Sequence, residues 1–491
     1  VNGVTYTTTA NSSGAWSVTT NTLTDGSYTP VITTTDVAGN TTTANGTAFT
    51  IDATAPAATG ALTATAPNDS GTVGDNRTND TTPSISGVTE PLASVSVVIN
   101  GQTYTTTADS AGAWSITSAV LPDGSYTPVI TTTDVAGNTA TASGTAFTID
   151  TTPPAITLAT VSDDVPGVTG TLSSGATTND NRPTLTFTAE AGSTVAVYDG
   201  STLLGNATEG PAGTFTFTPG TALTDGAHSL SAKATDTAGN TSAATTPFAL
   251  TVDTSAPSVT LTTVTDDVPG ITGTVTSGGT TNDNKPTLNF TAEAGSTITV
   301  YDGSTALGTA TETSPGVFSF TPATGLASGA HSFTATATDP AGNTGAPTSA
   351  FPLTIDTTPP ARPTATTQTT ALQTPVLAGT AVLSAGDILT VTFSGATYTV
   401  NPSSLTTGIS FSSGAWSINT ATATPSSGAR VALVDGQSYP VTATATDPVG
   451  NSISDLTTNE VTFAAPTLNV ALDSSSDSGV QGDSITNDTT P

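Results

Sequence analysis

Acidic and amide side chains recur in this chain at three kinds of position, and oxygen ligands of these types bind hard divalent cations. The first kind is an Asp that follows a short apolar run, the second is an Asp-x-x-Gly-Asn motif, and the third is an Asp-rich segment. The lone residues are Asp52, Asp150, Asp253 and Asp356; the motif pairs are Asp36/Asn40, Asp134/Asn138, Asp236/Asn240, Asp339/Asn343 and Asp447/Asn451; the segments contain Asp69, Asp75, Asn79 and Asp80, then Asp163, Asp164, Asn179 and Asp180, then Asp266, Asp267, Asn282 and Asp283.

Other chemistry finds little support in the sequence. There is no Cys, and the two histidines, His228 and His331, occupy equivalent Gly-Ala-His-Ser segments one repeat apart, which favours a role at a strand edge. The sequence contains no P-loop, no dinucleotide-binding glycine motif, no His-Glu-x-x-His motif and no twelve-residue EF-hand pattern. We therefore predict that the protein is not an enzyme.

The charge balance excludes two classes of partner. Six Lys and Arg stand against 37 Asp and Glu, a formal net charge of −31. Nucleic acids and anionic membranes are bound mainly through Lys and Arg, so neither is an expected partner. No segment approaches the roughly 18 apolar residues of a membrane span. Arg77, Arg182 and Lys285 lie inside the acidic segments and are expected to be local charge partners.

The chain is built from repeats. Residues 2–52 align without a gap on residues 100–150, and a second repeat type fills 151–253 and 254–356. The predicted domains are the C-terminal part of a repeat at 1–52, whole repeats at 53–150, 151–253 and 254–356, a divergent repeat at 357–463, and the N-terminal part of another at 464–491. We interpret the chain as a segment of a longer array of repeats.

Within a repeat the apolar residues alternate with polar ones, as in Val95, Val97 and Ile99, and Asp-Gly or Pro-Gly turns interrupt the strands. About seven short strands in roughly 100 residues predict an all-β fold, a tandem array of immunoglobulin-like antiparallel β-sandwich domains that forms an elongated rod. Trp16, Trp114 and Trp416 recur at one place in the repeat and are predicted to fill the core.

Strand alternation places the acidic groups at the ends of each sandwich. We call the end where the chain enters a repeat its leading pole and the end where it leaves its trailing pole. The Asp-x-x-Gly-Asn turn joins the last two strands and falls at the leading pole, whereas the lone Asp and the Asp-rich segment fall at the trailing pole. Each junction therefore brings carboxylates together with almost no basic residue, and Ca²⁺, which takes 6–8 oxygen ligands in flexible geometry, is the predicted ion.

The fifth repeat supports treating the trailing-pole groups as one site, because it loses both together. Residues 361–383 contain no Asp or Glu, and Ala464 replaces the lone Asp, whereas the turn at Asp447 and Asn451 is kept. The sequence predicts ion-stiffened junctions at 52/53, 150/151, 253/254 and 356/357, and an ion-free, more flexible joint near 464. The turn motif by itself is equally compatible with an Asx-type turn in which Gly and Asn are left-handed.

Three motifs of the chain recur together: the Asp-Thr-Thr-Pro-Pro connector at 150–154 and 356–360, the Thr-Asp-x-Ala-Gly-Asn-Thr turn, and the Asn-Asp approach to the second strand. As a set they resemble the bacterial immunoglobulin-like repeats of giant type I-secreted, RTX-type and biofilm-associated adhesins. The resemblance implies calcium at the domain junctions, secretion in an unfolded state and a location outside the bacterial cell, at its surface. It does not extend to the family's glycine-rich calcium repeats or secretion signal.

From these features we expect a structural stalk that carries an adhesive tip for cell adhesion and biofilm formation. Its expected partners are neighbouring repeats of the same chain, and other copies of the chain are a further candidate. Three alternatives remain open. The array could bind a receptor or glycan, for which Tyr198 and Tyr301 are the candidate residues; it could bind ice through its Thr residues; or it could be a subunit of a self-assembling fibre or surface layer.

Overall fold

The computed structural model describes residues 1–467, and within them every regular element is a β-strand. The chain forms two compact units, residues 1–254 and residues 255 onwards, which are described separately below. The predicted sixth repeat, 464–491, falls almost wholly outside the described residues. No helix in the described residues has the length and apolar character needed to cross a membrane.

The first unit contains the opening segment and two repeats. Strands in 1–52 are Gly26–Tyr28, Val31–Thr35, Thr41–Asn45 and Phe49–Ile51. Strands in 53–150 are Ala61–Leu62, Arg77–Thr78, Ser84–Val88, Ser94–Ile99, Gln102–Thr107, Ala113–Thr117, Gly124–Tyr126, Val129–Thr133, Thr139–Ser143 and Phe147–Ile149. Strands in 151–253 are Ile156–Asp163, Gly170–Thr171, Ala176–Thr178, Thr184–Ala189, Thr194–Asp199, Thr202–Asn206, Thr208–Glu209, Thr214–Phe217, Gly226–Thr235 and Phe248–Val252.

The second unit contains two further repeats. Strands in 254–356 are Val259–Asp266, Gly273–Val275, Thr280–Thr281, Thr287–Ala292, Thr297–Asp302, Thr305–Thr309, Thr311–Ser314, Val317–Phe320, Gly329–Thr338 and Phe351–Ile355. Strands in 357–463 are Thr364–Ala365, Gln368–Thr370, Val376–Thr380, Ile388–Phe393, Ala396–Val400, Ile409–Ser412, Ala415–Asn419, Ser427–Gly428, Ser438–Tyr439, Val441–Thr446, Ser452–Ser454 and Val461–Phe463.

The repeat 151–253 shows the architecture most fully. One five-stranded sheet contains Ile156–Asp163 between Gly170–Thr171 and Thr184–Ala189, and a second contains Gly226–Thr235 between Phe248–Val252 and Thr194–Asp199. Repeat 254–356 has the same strand order. The predicted all-β immunoglobulin-like tandem array is thus confirmed, and strand pairing in the described residues stays within each predicted repeat.

Apolar residues of the two sheets meet in a separate core in each of the four repeats from 53 to 463. Val95, Val97 and Ile99 are at most 1% exposed, so the predicted alternation of buried and outward residues is confirmed. Repeats 151–253 and 254–356 use Phe side chains at the centre, among them Phe187 and Phe290.

Two of the three tryptophans fill a core as predicted. Trp114 is 4% exposed and Trp416 is 1% exposed. Gly87 lies against the Trp114 ring, because a Cβ at that position would stand 2.7 Å from Trp114 Cζ2. Gly379 has the same role beneath Trp416, where a Cβ would stand 2.5 Å from Cζ2.

The prediction for Trp16 is wrong, since its side chain is 45% exposed. Trp114 lies on Ala113–Thr117, which pairs with Ser84–Val88 and is covered by the sheet that contains Val95. Residues 2–52 align on 100–150, and within the described residues no strand equivalent to Ser84–Val88 or Ser94–Ile99 covers Trp16.

The two histidines pair with carboxylates in equivalent places. His228 Nδ1 lies 2.7 Å from Asp199 Oδ2 and Nε2 lies 2.7 Å from the Thr224 carbonyl oxygen. His331 makes the same contacts with Asp302 and Ala327. Because both ring nitrogens face acceptors, the doubly protonated ring satisfies them best; partial burial lowers the pKa of each histidine, but these contacts outweigh it and raise the pKa above its usual value.

We expect truncation of the tryptophans to separate by burial. Trp114→Ala should destabilise its repeat by about 3–5 kcal/mol, the usual cost of emptying an aromatic site in a core, whereas Trp16→Ala should have a small effect. Hydrogen exchange followed by mass spectrometry reads the loss of protection repeat by repeat. Equal losses of protection in the two variants would contradict the assignment of Trp16 to the surface.

The histidine pairs predict a pH dependence. A pKa raised in the folded state means that each pair stabilises fully below about pH 6.5, the unfolded value, and that the contribution is lost as the pH rises through the folded pKa. The chain has two histidines, so their proton NMR signals can be assigned with His228→Gln. Asp199→Asn should lower the pKa of His228 and leave that of His331 unchanged. A His228 pKa that ignores this change would contradict the pairing.

Candidate metal centre at the repeat junctions

The trailing pole is organised by a short parallel pairing between the loop after the first strand and the last strand. Ala176–Thr178 pairs in parallel with Phe248–Val252, which brings Thr178 beside Val252. The next amide along, that of Asp253, donates to the Thr178 carbonyl oxygen at 2.9 Å. The equivalent amides of Asp150 and Asp356 donate to Thr78 and Thr281 at 2.9 and 2.8 Å. The lone Asp and the acidic loop therefore share one pole, as strand alternation predicts.

The leading pole carries the Asp-x-x-Gly-Asn turn in an Asx conformation. Asp134 Oδ1 accepts the Asn138 amide at 2.8 Å, and Oδ2 accepts the Asn138 side-chain amide at 2.8 Å. The same bonds form in the motifs that begin at Asp36, Asp236, Asp339 and Asp447. The motif glycines have φ between +91° and +100°, while the asparagines keep negative φ. The local shape is thus an Asx turn with only its glycine left-handed.

The turn also reaches across to the preceding repeat. Asn138 Nδ2 donates to the main-chain oxygen of Asp52 at 3.0 Å, and Asn240 Nδ2 donates to that of Asp150 at 2.8 Å. In the second unit, Asn451 Nδ2 donates to the Asp356 oxygen at 2.7 Å. At these three junctions the turn faces the last residue of the repeat before it.

Asn40 and Asn343 belong to the other two motifs, and in both the side-chain amide closes the turn. Asn40 is exposed, and its Nδ2 donates to Asp36 Oδ2 at 2.9 Å. Asn343 is half-buried, and its Nδ2 donates to Asp339 Oδ2 at 2.9 Å. The side-chain amides of Asn40 and Asn343 thus help to close their turns, and the metal-ligand role predicted for the two residues stays a prediction.

The acidic loop of repeat 151–253 buries carboxylates close together. Asp163 and Asp180 are each 3% exposed. Asp163 is satisfied, because it accepts from the Val165 amide and the Thr178 hydroxyl. Asp180 Oδ1 accepts the Arg182 amide at 2.7 Å, but its Oδ2 is buried without a hydrogen-bond partner, as is Asn179 Oδ1.

Repeat 254–356 has the same arrangement. Asp266 and Asp283 are each 3% exposed, and Asn282 is 7% exposed. Asp283 Oδ2 and Asn282 Oδ1 are buried without a partner. In repeat 53–150 the corresponding buried, unpartnered oxygen is Oδ1 of Asp69, which is 1% exposed. These five oxygens all lie at trailing poles.

Burial raises the pKa of the Asp180 carboxyl. The main-chain amides of Arg182 and Asp164 oppose this rise, and the charges of Asp163 and Asp164 add to it. The pKa of Asp283 is raised by the same causes, with Asp266 and Asp267 as the neighbouring charges. These carboxylates thus lack a positive partner.

The basic residues supply that partner only in one loop. Arg77 lies 3.9 Å from Asp150 Oδ2, as predicted. Lys285 Nζ instead donates to the Ala323 carbonyl oxygen at 2.9 Å, and among the ion pairs of residues 1–467 neither Lys285 nor Arg182 pairs with a carboxylate. The expectation that they are local charge partners is wrong for these two residues.

The remaining predicted residues are less enclosed. Asp164 and Asp267 are exposed, and Asp75 is half-buried and accepts the Arg77 amide. Asp80 accepts the amide and hydroxyl of Thr82. The four lone Asp residues are half-buried, and three of them, Asp52, Asp150 and Asp356, accept the amide of a Thr two residues on.

One carboxylate was missed by the sequence analysis. Glu90, in the turn between Ser84–Val88 and Ser94–Ile99, offers an oxygen within 4.8 Å of oxygens of Asp52 and Asp134. Loss of solvent raises the pKa of Glu90, and the charges of Asp52 and Asp134 raise it further. Glu190 and Glu293 occupy the equivalent turn in the next two repeats, and this recurrence was the available signal.

The fifth repeat keeps the backbone arrangement without the acids. Gln368–Thr370 pairs in parallel with Val461–Phe463, and the Ala464 amide donates to the Thr370 carbonyl oxygen at 2.9 Å. The hydrogen bond that positions the lone Asp elsewhere is therefore present where Ala replaces it.

A family model described as a bacterial Ig-like domain matches residues 1–53, 56–151, 152–254 and 258–357. No curated protein matches the chain. Solved structures similar to it include a 1.5-MDa bacterial ice-binding adhesin (20% identity, 61% of this chain and 98% of that chain, TM-score 0.27). Others are invasin, a bacterial integrin-binding protein (16%, 80% and 78%, TM-score 0.27), and the BSP domain of a biofilm-associated protein (13%, 62% and 67%, TM-score 0.15).

The Glu90 cluster yields a prediction for metal-free protein. Because the folded pKa of Glu90 lies above its ordinary value, the cluster loses stability as the pH rises through that folded pKa. Glu90→Gln should therefore raise the melting temperature of repeat 53–150 at pH 7 in EDTA. Glu190→Gln, at the exposed equivalent position, is the control and should change it less. A lower melting temperature for Glu90→Gln would contradict the repulsion.

Proposed function

Because this chain belongs to the bacterial immunoglobulin-like domain family, we propose that it is an extender segment of a large bacterial cell-surface adhesin. In this role the repeats form a stalk that projects an adhesive tip for cell adhesion and biofilm formation. The proposal includes calcium bound at the junctions as the stiffening ion, a location outside the cell, and type I secretion.

The observation that supports the calcium proposal is the set of buried oxygens without partners. An anionic oxygen removed from water with no donor is costly, and a cation or a proton relieves that cost. Asp180 Oδ2 and Asp283 Oδ2 are buried without a hydrogen bond of normal geometry, and the residue before each, Asn179 or Asn282, has a buried side-chain oxygen in the same state. Oxygens that no hydrogen bond of the chain satisfies are available to bind a cation.

The donor set fits calcium better than the alternatives. Carboxylate, amide and main-chain oxygens are the ligands of Ca²⁺, whereas Mg²⁺ demands a tight octahedron and Zn²⁺ favours His and Cys. In repeat 254–356 the ligands would come from Asp266, Asn282 and Asp283. When bound, the ion would supply the positive charge that Arg182 and Lys285 do not.

At the 52/53 junction Asp52, Glu90 and Asp134 already lie together, and they join the last strand of one repeat to two turns of the next. A cation bound there would be coordinated by carboxylates of both repeats at once and would connect them. The side-chain Nδ2 atoms of three turn residues donate to the preceding repeat, in Asn138, Asn240 and Asn451. Through these Nδ2 atoms the residues would position the junction, not bind the ion.

The role is mechanical in this proposal, and no catalytic family is indicated by the matches. Both histidines are engaged with carboxylates inside their own repeats. The low calcium of the cytosol would leave the acidic loops loose during export, and calcium outside the cell would order them. Coupling of binding to folding would stabilise each site by about 2.7 kcal/mol at a hundredfold excess of free ion over Kd.

The alternative of a glycan-binding surface needs exposed aromatic side chains. In residues 53–467 every Trp, Phe and Tyr is buried or half-buried, including Tyr198 and Tyr301. Trp16 and Phe49 are 45% and 38% exposed, but their counterparts Trp114, Trp416 and Phe147 are buried, so no exposed aromatic site recurs along the described repeats. We therefore keep the stalk as the single proposed function.

The calcium proposal predicts opposite effects of one substitution in two buffers. Asp283→Asn keeps the oxygen that accepts the Lys285 amide and removes the buried charge. In EDTA its melting temperature should equal or exceed that of the wild type, while the rise caused by calcium should shrink. Melting is measured on the full chain in EDTA, in calcium and in magnesium, with small-angle scattering on the same samples.

Asp455→Asn is the control, because both oxygens of Asp455 have hydrogen-bond partners in the fifth repeat. It should leave the calcium response unchanged. If the wild-type melting temperature and scattering ignore calcium, or if Asp283→Asn destabilises equally in EDTA and in calcium, the proposed ion sites are wrong.

A further inference from the structure

Two junctions share a direct contact that involves no charged group. It joins the tip of the loop after the first strand, on one repeat, to the Asp-x-x-Gly-Asn turn of the following repeat. At the 150/151 junction the Thr72 amide donates to the Thr237 carbonyl oxygen at 3.0 Å, and the Ser70 hydroxyl donates to the Ala238 oxygen at 2.5 Å. Donors and acceptors here are peptide groups and one hydroxyl.

Glycine on both sides makes this contact possible. A Cβ on Gly71 would stand 2.2 Å from the Thr237 oxygen and 2.6 Å from the Gly239 nitrogen. A Cβ on Gly239 would stand 3.0 Å from the Gly71 nitrogen. Since real Cβ atoms essentially never approach backbone within 3.0 Å, a side chain on the loop tip would force the repeats apart.

The second unit builds the same contact from a different loop sequence. At the 356/357 junction a Cβ on Gly450 would stand 2.6 Å from the Gly270 Cα. A Cβ on Gly270 would stand 2.8 Å from the Gly450 Cα and 3.0 Å from the Val449 oxygen. The loop tip is Ser-Gly-Thr in the first case and Pro-Gly-Ile in the second, so the shared feature is the glycine.

An equivalent Asn borders both contacts. Asn79 Nδ2 lies 3.5 Å from the Cβ position of Gly239, and Asn282 Nδ2 lies 3.5 Å from that of Gly450. Each therefore stands over the turn glycine of the next repeat and limits what that position can hold. A turn with any side chain there would meet both a backbone and an Asn.

We propose that the glycine-bearing loop tip of a repeat is a docking surface for the Asp-x-x-Gly-Asn turn of the following repeat, and that this contact sets the orientation of the two repeats before any cation binds, so that calcium would strengthen a junction that is already aligned. The partner is defined by its chemistry: a turn with φ near +100°, no side chain at its glycine, and carbonyl oxygens that accept hydrogen bonds. Residues 361–378 of the fifth repeat contain no glycine, so its loop lacks this docking tip.

The opening segment provides an internal control. Gly137 has φ +95°, nearly the +97° of Gly239, in the same turn motif. No atom lies within 4 Å of a Cβ placed on Gly137, because residues 1–52 contain no loop of this kind. Substitution of Gly137 therefore carries the backbone strain of the turn without the collision.

The test measures the 150/151 junction in the full chain without calcium. The protein has no Cys, so Gln102→Cys and Ala191→Cys place spin labels on exposed positions of the two repeats. Pulsed electron paramagnetic resonance in EDTA should give a narrow distance distribution for the wild-type background. Gly239→Ala should broaden and shift it, whereas Gly137→Ala, with comparable strain in its turn, should leave it narrow.

A second pair guards against misfolding. Gly71→Ala should act as Gly239→Ala does, and Gly74→Ala, which has φ +99° and no atom within 4 Å, should not. Circular dichroism and melting check that each variant is folded. A wild-type distribution that is broad in EDTA and narrows only with calcium would overturn the proposal, as would no change in Gly239→Ala. Neither outcome depends on whether calcium raises the melting temperature, so this inference and the calcium proposal can fail separately.

Discussion

The parallel pairing between the loop after the first strand and the last strand is the constraint on which the junctions depend. It occurs in all four repeats from 53 to 463, through Thr78, Thr178, Thr281 and Thr370. Because it ends one residue before the chain leaves the repeat, it sets where that residue lies and which way the acidic loop turns. The leading-pole turn of the next repeat then meets a surface of fixed shape.

The sequence was sufficient for the fold because the signals were repeated and local. Alternation of apolar residues predicted the strands, and strand alternation alone predicted that the Asp-x-x-Gly-Asn turn faces the preceding repeat, as Asn138, Asn240 and Asn451 show. The prediction failed for Trp16, because burial depends on a second sheet that a local pattern does not reveal. The position of a residue within the repeat predicts its type, but it does not show whether a second sheet covers that residue.

The candidate site was predicted at the level of loops but not of atoms. Asp163 and Asp180 are buried whereas Asp164, next to Asp163, is exposed, and composition does not distinguish them. Glu90 was overlooked because its turn carries a single acid, and its nearness to Asp52 and Asp134 depends on how two repeats meet. Lys285 was misjudged for a related reason: a long side chain near an acid in sequence can point to a carbonyl oxygen instead. Nothing in the structure explains why Arg182 forms no ion pair within the described residues.

The parallel pairing has a further consequence for how a repeat bears load. Tension on the chain pulls the last strand along its own axis, past the loop strand that lies beside it in the same direction. The hydrogen bonds of a parallel pair are evenly spaced and slanted, so a pull along the strand axis strains them together and does not open them one after another from an end. A repeat of this design resists extension at the strands through which the force leaves it.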